Sequence, residues 1–408
     1  MAFLPRRERH FRSSSGAKFL YGIMGFIAGA ECIDDLDHLR KDPLFHTLTD
    51  GGIASSTMRY FLGKFRLKHI EKLQRFLPKL AFQIRQKLKK DSSPIIISMD
   101  ATPHEQHGKY MEGVEWDYKN RWCLSSQNAF DELGLCYGWN LMNGSAHSST
   151  GAVEMIENIF SKIPKDRPRY FRADSAYGTH NIYNALVAHN VGFAICLKEN
   201  VWDYILKQNE FKMKWKKTKT FFFDSNKCQV SSAIYAPKKL KGRSFLRVVF
   251  IRAKRKILRK EDKRHYRYYA IVTNLSEKEM SDEKVIQFYK KRANCENHIK
   301  DLKYGMDFKH FPCQKMMKNK AWGMMGIFAY NLMRFASFTI DKRGCFLKRV
   351  RQKIVFAAGE MRKGQRKIKM RVSDYIYKEV KRREEMISEM FCSLGIYRSQ
   401  RRGLSPPF

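Results

Sequence analysis

The sequence lacks several things that would have decided its class at once. Its nine cysteines, at positions 32, 123, 136, 196, 228, 295, 313, 345 and 392, include no C-x-x-C pair. That argues against a zinc ribbon or a redox-active dithiol. An odd, unpatterned set suits reduced thiols in the cytosol. No secretory leader is expected, because Met1 to Gly16 is basic and polar with no apolar core. No apolar run is clean enough for a membrane span. Ala321 to Ile340 comes nearest but holds Asn331 and Arg334, so it reads as a buried core helix and no membrane partner is expected. No internal repeat is visible.

The chain is also short of acid. Lys and Arg number 79 against 40 Asp and Glu, a formal charge of +39. That excess goes far beyond what solubility needs. It implies a polyanionic partner, above all nucleic acid, with an anionic membrane surface or a ribosome as the lesser alternative. With 408 residues, 43% of them hydrophobic, the chain can bury the cores of two or three domains.

Residues 1–16 read as a flexible basic arm with Arg6, Arg7, Arg9 and Arg12. Residues 17–91 read as a helical region. A short helix around Asp34 to Asp42, a break at Pro43 and Gly51-Gly52, and an amphipathic helix from Ala54 are compatible with a helix-turn-helix. In that reading Ser55, Ser56, Thr57, Arg59 and Lys64 face DNA; an ordinary helical hairpin fits equally well. A longer basic helix follows over 66–90. From Ser92 the texture changes. Strands are expected at Pro94 to Thr102, from Trp122, at Gly134 to Gly144, from Arg169 and from Gly192, with helices from Thr150 and His180. The order β-β-β-α-β-α-β implies an α/β domain with a mixed sheet. Over 201–281 the alternation stops, and strand-like runs from Phe221, Gln229, Phe245 and Tyr266 suggest an antiparallel β insertion. Residues 346–408 read as a basic helical C-terminal region.

Asp100 and Asp174 each lie just past an apolar strand, where α/β sheets place their chemistry. Two such carboxylates and a third from a facing helix can hold two divalent ions about 3.5–4 Å apart. Mg²⁺ suits such a site, since it takes few carboxylates and keeps water and phosphate ligands. Each aspartate alone also reads as a turn or cap residue.

The third carboxylate has a candidate helix. Ser281 to Lys303 contains neither Pro nor Gly. Ser281, Asp282 and Glu283 resemble a capped start, and Gly305 a stop. At 100° per residue, Tyr289, Arg292, Glu296 and Lys303 fall at about 0°, −60°, −20° and −40°. One face would then carry a single carboxylate framed by cationic and phenolic groups. Glu296 could hold metal and the others phosphate, although a solvated, salt-bridged helix has the same pattern.

With these residues in view the chain resembles the DDE transposases of bacterial insertion sequences. Tyr289-x2-Arg292-x3-Glu296-x6-Lys303 is similar, spacing included, to the Y-R-E-K signature of one group. Asp100-Ala-Thr102 resembles the first-aspartate motif D-x-T, and Arg172-Ala-Asp174-Ser175 the second. Asn143 to Gly151 resembles the segment between them, and Asn331-Leu-Met-Arg334 the helix after the glutamate. The resemblance implies a ribonuclease-H-like mixed sheet flanked by helices, built from 92–200 and 282–345 and interrupted by the β insertion, with an N-terminal helical DNA-binding region. It implies that Asp100, Asp174 and Glu296 ligate two Mg²⁺ ions, with Mn²⁺ as a substitute, and that Tyr289, Arg292 and Lys303 hold phosphates of the transposon end. It further implies double-stranded DNA partners (terminal inverted repeats and target DNA), a homodimer on paired ends, and a cytoplasmic, nucleoid-associated life. Close relatives often carry another aspartate two residues before the D-x-T aspartate. Here that position is Ser98, which leaves Asp100 as the credible ligand on its strand. A domesticated, non-catalytic DNA-binding protein and a ribonuclease-H-class nuclease without strand transfer are the alternatives.

Other candidates carry less. Thr102 shares a strand face with Asp100 and can orient it. His147 gains weight from the family resemblance. Trp215, amid lysines, could stack on an unpaired base. His104 and His107 are expected as an exposed loop pair rather than metal ligands. The basic runs 252–260 and 363–371 read as phosphate tracks.

Overall fold

The structure, a computed structural model, describes residues 4–5, 13–49, 51–89, 92–108, 110–218, 223, 228–242, 245–255, 265–356, 359–363, 368–372, 377–378 and 381. Arg6, Arg7, Arg9, Arg12, Phe221, Phe222 and much of both basic runs lie outside them. Contacts divide the chain into two units, one of residues 1–91 and 301–408 and one of 92–300.

The first unit begins with α1 (Ser15–Ala28), α2 (Asp35–Leu39), α3 (Pro43–Leu48), α4 (Ser55–Gly63) and α5 (Leu67–Leu88). Ser14 caps α1 by accepting from the Ala17 N–H at 3.1 Å. Leu73, Leu77, Leu80 and Ile84 line the buried face of α5, at the spacing a 3.6-residue period requires.

The second unit is built on β1 (Ile95–Glu105), β2 (Glu115–Trp116), β3 (Trp122–Phe130), β4 (Cys136–Asn143), α6 (Ala152–Lys162), β5 (Arg169–Ala173), α7 (His180–Ala188), β6 (Gly192–Cys196), α8 (Glu199–Asn209), β7 (Lys216–Thr218), β8 (Cys228–Tyr235), β9 (Leu246–Lys254), β10 (Tyr266–Thr273), α9 (Asp282–Lys290) and α10 (Asn294–Gly305), whose last turns belong to the first unit. One mixed ten-stranded sheet runs β2-β3-β1-β5-β6-β10-β9-β8-β7, with β4 paired to β3. β1, β5 and β6 are parallel neighbours. β10 joins β6 antiparallel at Ile271↔Cys196. The strands of 201–281 therefore extend the same sheet, because β6 offers its open edge to β10. α9 lies on that extension. Val285, Ile286 and Tyr289 pack with Cys196, Val230, Val249, Ile251 and Ile271 in one apolar cluster.

The first unit is completed by α11 (Met316–Ile340), α12 (Leu347–Val350), and β11 (Gly359–Lys363) paired antiparallel with β12 (Ile368–Val372). Two paired strands thus stand at 359–363 and 368–372 where the sequence reads helical. α11 is the buried helix the sequence suggests. Trp322 packs 4.5 Å from Phe26, and Phe328 packs 5.7 Å from Phe19. Its buried Asn319 bonds both the N–H and the C=O of Cys313, at 2.9 and 2.7 Å. Among the described residues no helix is long and apolar enough to cross a membrane.

Candidate active site

β1 and β5 run in parallel, and their last paired residues are Met99 and Ala173. Asp100 and Asp174 are the next position on each strand. Neighbouring strands lie about 4.8 Å apart, so the sheet register itself brings the two carboxylates side by side. Asp174 then ends its strand by capping a 3₁₀ turn, Ser175–Tyr177, its Oδ1 accepting from the Ala176 N–H at 2.9 Å. The Asp100 Oδ1 accepts from the Ala101 N–H at 2.9 Å. The Asp100 side chain is 16% exposed. Burial pushes its carboxyl up to about 6; the Arg292 charge opposes the shift and the Asp174 charge reinforces it.

The helix expected over 281–303 is broken. α9 stops at Lys290, Lys291–Ala293 form a 3₁₀ turn, and α10 restarts at Asn294. The four signature residues therefore do not share one continuous helical face. Ser281 occupies the cap position of α9 without a side-chain cap bond. The first-turn acids are used instead as anchors: Asp282 pairs with Arg247 of β9 at 2.7 Å, and Glu283 accepts from the Thr218 hydroxyl. Arg292 sits in the turn. Its Nη1 donates to Asp100 Oδ2 and its Nη2 to Glu296 Oε1, both at 2.9 Å. One guanidinium thus joins Asp100, which lies within β1 rather than just past it, to the helical acid in two charge-assisted bonds. Arg292 is 17% exposed and Glu296 61%. Burial works against the Arg292 charge, but the Asp100 carboxylate, with smaller help from its other acidic neighbours, holds its pKa above the usual arginine value.

The remaining predicted residues are dispersed. Tyr289 is 5% exposed; its hydroxyl lies 3.0 Å from that of Tyr269, inside the apolar cluster under α9. Lys303 is half-buried in the last turn of α10. Trp215 is half-buried just before β7, with the Arg252 guanidinium 3.8 Å over its ring and Tyr268 at its edge. Arg59 is ion-paired with Asp34 and donates to the Ser55 hydroxyl at 3.2 Å. Ser55 itself is buried, and the Lys64 ammonium lies over the Tyr60 ring. Thr102 is buried on β1. His147 is exposed and bonds locally to Ser149 at 2.8 Å. The two loop histidines are not a pair. β1 continues past Thr102 because β3 pairs with it as far as Glu105. His104 is consequently buried on the strand, 2.7 Å from the Ser126 hydroxyl, while His107 is exposed.

Sequence reasoning passed over Arg172 as anything but part of a motif. A cation in the run Arg169-Tyr-Phe-Arg-Ala173, flanked by core residues, was the available signal. It is 3% exposed and reaches both Ser98 and α9.

Chemically, the site offers hard oxygen donors. Asp100 and Asp174 are adjacent, and Asp100 is held partly out of water beside a like charge, a strain that a cation relieves. The donor set thus suits a hard divalent ion such as Mg²⁺. In this conformation the three acids do not close on one point. Among the described residues no group of three His, Cys, Asp or Glu side chains is placed to hold an ion, and Glu296 reaches Asp100 through Arg292.

Neighbouring aspartates on a mixed α/β sheet, with a helical glutamate and an arginine beside them, are groups that metal-dependent phosphoryl transfer on a polyanion employs. The chain belongs to the DDE transposases: the family model Transposase DDE domain group 1 matches residues 2–386. A search of curated proteins finds no match.

Proposed function

We propose that the protein is a Mg²⁺-dependent transposase of the Y-R-E-K group of insertion sequences. It cleaves DNA at the ends of its element and joins the freed 3′-hydroxyl to target DNA. The observation that carries this reading is the Asp100/Asp174 register together with the Arg292 bridge from Asp100 to Glu296. Asp100, Asp174 and Glu296 hold the divalent ions, Mg²⁺ or its substitute Mn²⁺. When bound, these ions activate the attacking oxygen and offset charge on the leaving one. Arg292 holds the acids while the site is free of DNA, and exchanges them for a phosphate when an end arrives. Lys303 adds a second phosphate contact. Tyr289 serves the same contact by seating α9. The helices of 17–91 take terminal inverted repeats, Trp215 approaches bases near the cut, and two copies pair the ends.

The test is cleavage and strand transfer on an end-bearing duplex with Mg²⁺. Asp100→Ala, Asp174→Ala and Glu296→Ala each lower cleavage by at least about a hundredfold and leave end binding nearly intact. Full cleavage by any of the three overturns the assignment. Cutting without joined product would mark a nuclease instead.

A further inference from the structure

β5 carries a charge in the middle of the core. Arg172 pairs in register with Ser98 of β1 and Ala194 of β6, and is 3% exposed. Burying a guanidinium is costly unless its donors are used. Here Nε donates to the Ser98 hydroxyl at 3.1 Å and Nη1 to the Phe288 carbonyl at 3.0 Å. The guanidinium carbon stands 5.1 Å over the Phe288 ring. Burial pulls its pKa down to about 10, and the Glu132 charge is the largest influence opposing that. Arg172 therefore spends its donors on a serine and on a helix end.

The helix end matters. Phe288 lies in the last turn of α9, where carbonyls run out of helical donors. A cation placed there bonds one of them and suits the negative end of the helix dipole. The opposite end of α9 is held by Arg247, which pairs with Asp282 and donates to the Leu275 carbonyl at 3.0 Å. α9 is thus pinned at both ends by arginines of the sheet. The chain leaves the Arg172 end directly into the 3₁₀ turn that carries Arg292. A further contact, from Cys295 Sγ to the Ser98 carbonyl at 3.6 Å, ties the start of α10 to the same point of β1.

We propose that Arg172 is a positioning residue, which caps α9 and so fixes the turn that sets Arg292 and Glu296 opposite Asp100. Its catalytic consequence rests on the function proposed above; the placement itself does not. The ordinary helical continuation of 281–303 is interrupted where this cap acts, and from the interruption Arg292 reaches Asp100 of β1.

The experiment uses the full chain with Arg172→Lys, Arg172→Met and Ser98→Ala. Lysine keeps the charge, but a single ammonium cannot replace the two-pronged contact. Hydrogen exchange followed by mass spectrometry reads the placement without any assay of activity. Amides of 289–296 should exchange about tenfold faster in Arg172→Lys, the loss of one charged hydrogen bond, with β1 and β5 unchanged. Ser98→Ala, which alters no charge, should show a smaller increase in the same amides. Where wild-type cleavage is measurable, Arg172→Lys should lower kcat and leave KM for DNA unaltered. Unchanged protection of 289–296 in both Arg172→Lys and Ser98→Ala would overturn the proposal. So would a loss spread evenly over the sheet, or a kcat equal to wild type. If Arg172→Met fails to fold, the other two variants decide. If the wild type never cleaves, the proposed function falls, while the exchange data still decide the role of Arg172.

Discussion

The two sides of the 3₁₀ turn at Lys291–Ala293 differ in kind. On the α9 side, Val285, Ile286 and Tyr289 are core, and even the tyrosine hydroxyl is matched by Tyr269. On the α10 side, Glu296 is exposed and Arg292 spends its donors on carboxylates. Residues that look equivalent in the spacing Tyr289, Arg292, Glu296 therefore occupy two environments. The comparison teaches that such a spacing can encode a scaffold and a reacting group together. The first half places the helix, and the second half, in the function proposed above, faces the substrate.

The comparison is sharpest in its pH dependence. The Asp100 carboxyl has its ordinary value near 3.8 when unfolded and about 6 when folded. The folded state thus holds the proton longer, and stability falls as pH rises between those values. The full penalty, about 3 kcal/mol at 1.36 kcal/mol per unit, is present above pH 6. Asp301 is also pushed up to about 6 by burial and adds a slope of the same sign. Urea unfolding from pH 4 to 7 should therefore be compared between wild type and Asp100→Asn, which removes the share due to Asp100. Identical slopes would break the account of a strained site. Activity runs the other way. A ligand carboxylate must be ionised, so cleavage should fall as pH drops through about 6.

A smaller effect tests the scaffold side. Tyr289→Phe removes one hydroxyl from a buried pair and should cost about 1 kcal/mol of stability. End binding, read by gel shift, should hardly change. A large loss of end binding at unchanged stability would erase the distinction and return Tyr289 to the phosphate site.

Much of this was legible in the sequence. Apolar runs marked β1, β5 and β6, and with them the neighbouring positions of Asp100 and Asp174, although β1 runs on past Asp100 to Glu105. The spacing around Glu296 singled out the helical acid that Arg292 links to Asp100. What escaped depends on partners distant in the chain. Nothing local in Ser281 to Lys303 breaks a helix, since it has no Pro or Gly; the Arg172 cap and the Asp100 pull come from strands more than a hundred residues earlier. The union of β10 with β6 leaves no periodic signal either. His104 follows the strand end expected at Thr102, yet pairing with β3 carries β1 through it. β11 and β12 are rich in Lys, Arg and Met, good helix formers, and cross-strand pairing overrides that preference.

The central claim is that Arg292 holds Asp100 and Glu296 together until a DNA end draws it away. Its most direct test is a Mn²⁺ titration followed by electron paramagnetic resonance, on wild type and Arg292→Gln, each with and without an end-bearing duplex. The account predicts weak binding by the free wild type and about tenfold tighter binding once the duplex is added, a coupling of about 1.4 kcal/mol. Arg292→Gln should bind Mn²⁺ more tightly without DNA and gain little from the duplex. Equal affinity in all four samples, or a duplex effect undiminished in Arg292→Gln, would contradict it.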